Sequence, residues 1–249
     1  MNDTTKVITA TEFKINLGKY IDYIMEDHEV VITKNGKKAV RLAPYITEIE
    51  RYFMIKENAL DYQYGGKKVS YEEFIDIYEN SELRMEYING EIVLLASPDT
   101  FHQDISGNLY INLREYLKGR ECKVFYAPFD VHFHKKDFNT PDVMQPDLLI
   151  ACDLEGNVNE KGRYMGTPAL CVEILSKSTR TKDMVDKLNT YMLSGVREFW
   201  IIDPKKHSVL VYGFKDCDID EYASYKTEDT LVSYFFEGLE IAVKKIFED

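Results

Sequence analysis

Apolar positions near the start of the chain fall at two different periods. Phe13, Leu17, Tyr20, Ile21 and Ile24 recur every three or four residues, which predicts an amphipathic helix over 11–25. Thr9-Ala10-Thr11-Glu12 supplies the Ser/Thr-x-x-Glu pattern that satisfies the free amides of a helix start. Two β-prone runs, 30–33 and 39–42, then flank Lys34-Asn35-Gly36-Lys37, and Asn-Gly suits the positive backbone angles of a tight hairpin. A helix with one hairpin buries too little to stand alone, so this unit is expected to pair with its own copy or dock elsewhere.

Further along, 46–68 is tyrosine-rich, ends in Gly65-Gly66-Lys67-Lys68 and reads as a partly helical linker. Ser70-Tyr71-Glu72-Glu73 is a second capping pattern, opening a helix that ends near Asn80. A hairpin is predicted over 84–95, turning at Asn89-Gly90. Ile105, Leu109, Leu113 and Leu117 share one face of a helix over 101–118, with Gly119 as its stop. Strands are expected near 122–134, 147–152, 169–176, 197–203 and 208–213, with a helix over 181–193 among the last three. Segments 235–239 and 241–247 read as closing pieces of the core. Strands alternating with helices predict an α/β fold, a mixed sheet flanked by helices.

Composition narrows the function more than the fold. With 45% hydrophobic residues the chain can build a core, and no apolar run approaches the roughly 20 residues that span a bilayer. The N-terminus lacks the apolar segment of a signal peptide, so a cytoplasmic location is expected. Cys122, Cys152, Cys171 and Cys217 are widely spaced without a C-x-x-C, which favours free thiols over disulfides or zinc. The net charge is −12, unlike a typical nucleic-acid binder. Residues 1–45 hold seven Lys/Arg against six Asp/Glu, leaving 24 against 37. Such a body opposes tight metal-free binding of nucleic acid, but not a nuclease whose carboxylates take up cations first.

Asp147 opens an apolar run after Pro146, and Glu173 lies inside Ala169-Leu170-Cys171-Val172-Glu173-Ile174-Leu175. A carboxylate buried in such a run costs several kcal/mol, on the order of a lost polar group, unless a cation or hydrogen bonds compensate. If the two strands are neighbours, both acids can meet one hard ion such as Mg²⁺ or Mn²⁺. They can equally be structural, with Asp147 capping a turn and Glu173 paired with an arginine. Asp183, Lys187 and Tyr191 stack at four-residue intervals on the next helix, which can lay Lys187 over the acids or merely form a surface ion pair. His132-Phe133-His134 is compatible with zinc but reads better as an exposed strand face, and no glycine-rich phosphate loop appears.

Two resemblances follow from these residues. The stretch Val7-Ile8-Thr9-Ala10-Thr11-Glu12-Phe13, with Val30-Val31-Ile32-Thr33-Lys34-Asn35-Gly36, resembles the Phd/YefM antitoxin family. That implies a homodimeric module over 1–45 that grips DNA or serves only to dimerise. Beyond the linker, 69–249 resembles the Uma-type restriction endonucleases of the PD-(D/E)xK superfamily. This rests on Glu86-Tyr87-Ile88-Asn89-Gly90, Gln145-Pro146-Asp147-Leu148, Val172-Glu173-Ile174-Leu175-Ser176, Asp183 with Lys187, and Arg197-Glu198-Phe199-Trp200. The resemblance implies Glu86, Asp147, Glu173 and Lys187 as catalytic residues. Asp147, Glu173 and the Ile174 carbonyl would hold Mg²⁺ or Mn²⁺, and the superfamily lysine would have moved from position 175 to Lys187. Lys177 is a rival amine where the family tends to carry proline, and His102 an accessory acid or phosphate contact. The expected activity is metal-dependent cleavage of nucleic acid, DNA ahead of RNA. The alternative is an antitoxin-like DNA-binding regulator with an inert nuclease fold.

Overall fold

In the computed structural model, which describes residues 5–26, 28–43, 66–160, 162–176 and 181–248 (the backbone alone at 181–183), the first strand is one that the hydrophobic pattern did not announce. That strand, β1 (Thr5–Thr9), runs parallel to β2 (Glu29–Lys34), which pairs antiparallel with β3 (Lys37–Leu42). Asn35 and Gly36 make the connecting turn with φ of 53° and 75°. The helix expected over 11–25 is broken into α1 (Ala10–Ile15) and α2 (Leu17–Met25). The break falls at Asn16, whose backbone leaves helical angles at φ −116° and ψ 35° and whose side-chain amide bonds to the Glu12 carbonyl. Thr9 Oγ1 accepts from Glu12 N at 3.1 Å, as the capping pattern predicts. Ile8, Tyr20, Val30 and Ile32 form the small core of this unit, one of two compact units, Met1–Leu60 and Asp61–Asp249.

The first described helix of the second unit is α3 (Tyr71–Glu79), whose N-cap Ser70 Oγ accepts from Glu73 N at 3.2 Å. Next come β4 (Met85–Ile88) and β5 (Glu91–Leu94), joined at Asn89-Gly90, and the 17-residue α4 (Thr100–Tyr116). The strand expected over 122–134 is two strands in different sheets, β6 (Lys123–Tyr126) and β7 (Val131–Phe133), separated by a cis Ala127–Pro128 bond. Short β8 (Asp142–Met144) precedes β9 (Leu148–Ala151), β10 (Leu170–Ile174), α5 (Thr181–Leu193), β11 (Glu198–Asp203) and β12 (Ser208–Lys215). The chain closes with β13 (Asp218–Lys226), β14 (Thr230–Val232), β15 (Glu240–Ala242) and α6 (Lys244–Phe247). No described helix is long and apolar enough to cross a membrane. Most of the expected linker lies outside the described residues, but Gly66 and Lys67 bond to Ile92 beside β5.

Six strands form the main sheet in the order β13-β12-β11-β10-β9-β6, and four form a second in the order β5-β4-β8-β7. Only β10 and β11 are parallel in the main sheet, with α5 as their crossover. Strand alternation sends Leu170, Val172 and Ile174 to one face, against Ile105, Leu109 and Leu113 of α4. Cys171 faces the other way, into a cluster with Phe133, Tyr191 and Phe199. Four free thiols were expected, and two are not free: Cys122 and Cys152, just outside the β6–β9 ladder that pairs Lys123 with Ala151, form a disulfide. Cys171 and Cys217 remain thiols.

Candidate functional site

Glu173 sits in a strand that is buried along its whole length. Its Oε1 accepts from Lys187 Nζ at 2.9 Å and from Tyr191 OH at 2.5 Å. Lys187 and Tyr191 are one turn apart on α5, so a single helix face delivers both donors. Burial drives the Glu173 carboxyl pKa upward; Lys187 opposes this, Asp147 and Glu86 add to it, and the net value is about 7. Burial by itself would discharge Lys187, but Glu173 and Glu86 outweigh it and raise its pKa, so the ammonium persists.

Glu86 reaches the same ammonium from the other sheet, with Oε1 at 3.1 Å from Lys187 Nζ. That oxygen also accepts the Gln145 N–H at 2.9 Å, while Oε2 is buried and has no hydrogen-bond partner among the described residues. Asp147 immediately precedes β9. The register that pairs Val172 with Leu148 continues to set Asp147 opposite Glu173. Asp147 Oδ2 accepts the Ile174 N–H at 2.8 Å and lies 3.2 Å from His102 Nε2. The contact between Asp147 and Ile174 therefore runs through the amide of Ile174. His102 is in the first turn of α4, where Asp99 caps its N–H at 2.9 Å. Burial lowers the His102 pKa, but the Asp147 hydrogen bond and charge reverse that and leave it raised.

Glu86, His102, Asp147, Glu173 and Lys187 are thus brought together by four elements and a strand entry. Lys177 and the Asp183 side chain lie outside the described residues. Two contacts were not foreseen as parts of the site: the Tyr191 hydroxyl and the Gln145 amide. The first was visible as the residue four after Lys187; the second depends on β4 lying beside β8, which has no local signature. The expected exposed face at His132-Phe133-His134 is not there: His132 is buried and its Nδ1 lies 2.9 Å from Tyr71 OH, while His134 is exposed past the strand end. Burial and Arg163 hold the His132 pKa below its ordinary value.

A network beside the site braces both of its halves. Asp142 Oδ2 takes Lys135 Nζ at 2.7 Å and Thr190 Oγ1 at 2.6 Å, and Oδ1 takes the Asn89 N–H at 2.9 Å. Thr190 lies three residues after Lys187 on α5, and Asn89 three residues after Glu86.

Comparison with known proteins agrees with this fold. Residues 71–244 match the Uma2 family, described as "Putative restriction endonuclease", and residues 5–61 match "Antitoxin Phd_YefM, type II toxin-antitoxin system". An uncharacterized protein of Synechocystis sp. is 24% identical over 179 residues, 72% of this chain and 86% of that one. A crystal structure from Anabaena variabilis, described as a "putative nuclease belonging to DUF820", superposes with a TM-score of 0.56 at 20% identity. It covers 70% of this chain and 96% of its own, so the two share a fold. The chain belongs to the Uma2 family of nuclease-fold proteins, and carries ahead of that domain a segment matching the Phd/YefM antitoxins.

Proposed function

We propose that this protein is an endonuclease that uses a divalent cation, Mg²⁺ or Mn²⁺, to hydrolyse phosphodiester bonds in DNA. The observation that carries the reading is one buried ammonium, Lys187, held between Glu86 and Glu173 next to Asp147. Three carboxylates gather on one lysine, and the Glu173 pKa is raised chiefly by burial, with Asp147 and Glu86 adding to it. Among the described residues no three His, Cys, Asp or Glu side chains converge on one ion position. The donors that fit a hard cation are therefore two carboxylates, with Asp147 Oδ1 and Glu173 Oε2 accepting no hydrogen bond among the described residues, together with the Ile174 carbonyl. When bound, such a cation supplies positive charge to the scissile phosphate and acidifies nearby water.

The chain's own groups do the rest. An ammonium has three donors; carboxylates take two on Lys187, and the third orients the attacking water or offsets charge on the phosphoryl oxygens. Tyr191 fixes the Glu173 carboxylate, the Ile174 amide and His102 fix Asp147, and the Gln145 amide fixes Glu86. Preorganisation of this kind spares the reaction the reorientation that water would need.

We further propose that the segment up to residue 45 makes the protein a homodimer and assists in holding DNA. Leu17 and Ile21, one turn apart on α2, are 47% and 45% exposed and support a contact with a second copy. A second reading, an inert regulator, draws on the same ion pair, since Lys187 bonded to both Glu86 and Glu173 would also serve as a purely structural link. Incubating plasmid and single-stranded DNA with Mg²⁺ or Mn²⁺ decides between them. Cleavage lost by about a hundredfold or more in both Asp147→Ala and Lys187→Ala is expected. No cleavage by the unsubstituted protein, together with no Mn²⁺ binding in solution, overturns the enzyme in favour of the regulator.

A further inference from the structure

An acidic chain that cuts a polyanion must still hold it, and one surface beside the site gathers exposed rings and lysines, with Glu248 and Asp203 among them. Phe101, next to His102 in the first turn of α4, is 37% exposed. Its ring centroid lies 6.2 Å from that of His207, and His207 stacks on Phe247 at 4.9 Å with the planes 19° apart. Phe247 ends α6, which Asn108 ties to α4 through the Glu248 carbonyl at 2.8 Å. The lysines of α6, Lys244 and Lys245, and Lys205 in the turn before His207 are exposed and form no ion pair among the described residues. Lys206 differs, being paired with Asp203 at 3.6 Å. The turn leaves β11 where Ile202 pairs with Ile174, the sheet edge at which Glu173 and Asp147 meet.

His207 has φ of 46°, a left-handed conformation in which glycine or asparagine would sit more easily. Histidine is among the non-glycine residues that adopt this conformation most readily, and here it leaves the ring exposed at the surface. Flat rings in parallel stack offer a face to a nucleobase, and a base can take it only when it is not already stacked inside a duplex. Flanking ammoniums meet the phosphates of the same strand. We propose that His207 and Phe247, with Phe101 and the unpaired lysines, form a platform for an unpaired strand, so that the substrate is DNA with a single-stranded segment. The proposal rests on the nuclease reading for its purpose, but its test does not need cleavage.

Fluorescence anisotropy with labelled oligo-dT and with a blunt hairpin duplex, both in Ca²⁺ buffer, measures binding by the full chain. His207→Asn removes the ring while suiting the turn, and should weaken oligo-dT binding roughly tenfold with little change on the duplex. Lys205→Gln combined with Lys245→Gln should lower the salt slope for oligo-dT by about 1.4. Trp200 fluorescence, from a fully buried ring, confirms that each variant is folded. The platform is overturned if the unsubstituted chain does not bind oligo-dT, if His207→Asn binds it unchanged, or if both ligands lose equally. Cleavage is scored separately with Mg²⁺. Binding as expected with neither cleavage nor Mn²⁺ binding sinks the nuclease reading and keeps the platform, whereas cleavage with ring-independent binding does the reverse.

Discussion

Lys187 and Glu86 are 101 residues apart in sequence and 3.1 Å apart in space. Because the same ammonium also holds Glu173, one cation joins the four-stranded sheet, the six-stranded sheet and α5. The buried pair is costly to assemble and more costly to break, since removal of one partner strands the others without water.

Lys187→Met should therefore destabilise the fold by about 3–5 kcal/mol. Urea denaturation followed by Trp200 fluorescence gives the number. Replacing Glu86 and Glu173 by glutamine in the same protein should recover most of the loss, because the stranded charges go with them. A Lys187→Met protein as stable as the parent would mean the ion pair contributes nothing to folding.

The pH dependence follows from Glu173. Its folded pKa of about 7 exceeds its ordinary 4.5, so the folded state binds the proton more tightly. Stability from this group is complete below the ordinary value and is lost as pH rises through about 7. His102, also raised, acts in the same sense above its ordinary 6.5, while the contribution of Lys187 is constant below 10.5. In a chelator, unfolding free energy, and Tm with it, should fall between about pH 4.5 and 7 by roughly 3 kcal/mol, a fall that Glu173→Gln removes, leaving only the smaller His102 contribution above pH 6.5. Added Mn²⁺ should raise Tm more at the alkaline end, where it no longer competes with the proton. An equal slope in Glu173→Gln would refute the assignment.

Asp142→Ala leaves Lys135, only 5% exposed, with its charge unpaired. A loss of about 3–5 kcal/mol is expected on denaturation. Because the Asp142 oxygens hold Thr190 and Asn89, the variant should also lose Mn²⁺ affinity by roughly tenfold at temperatures where it stays folded, as outer contacts of metal sites do. Calorimetric titration that gives parental affinity would limit the role of Asp142 to stability.

The Cys122–Cys152 bridge closes a loop between residues 30 apart. By loop-closure entropy it stabilises the fold by about 3–4 kcal/mol. Reductant should lower the urea midpoint of the parent accordingly and leave the Cys122→Ser/Cys152→Ser protein unmoved. Because Cys171 is buried inside β10, alkylation of the native protein should instead report Cys217.

What was readable in the chain was local chemistry. Ser70 and Thr9 cap helices because their partners sit three residues away, and Asn89-Gly90 turns because its own backbone demands it. The buried acid at Glu173 was conspicuous for the same reason: its neighbours are apolar on both sides. Pairings between distant segments left no such trace. Neither β8 nor the β14–β15 pair extends beyond three residues, too short for a period to emerge. β13 has a nearly fully exposed pattern with no alternation to read. Cys122 meets Cys152 only because β6 and β9 are neighbours, and Asp142 becomes a hub only once α5 lies across β8.

The division of the cluster between two sheets has a consequence for biosynthesis. Glu86 emerges from the ribosome long before Lys187, and Glu173 reaches its setting only after β11 is available to pair alongside it. A nascent or truncated chain thus lacks the assembled charges, and any hydrolytic power stays latent until translation has passed the crossover helix.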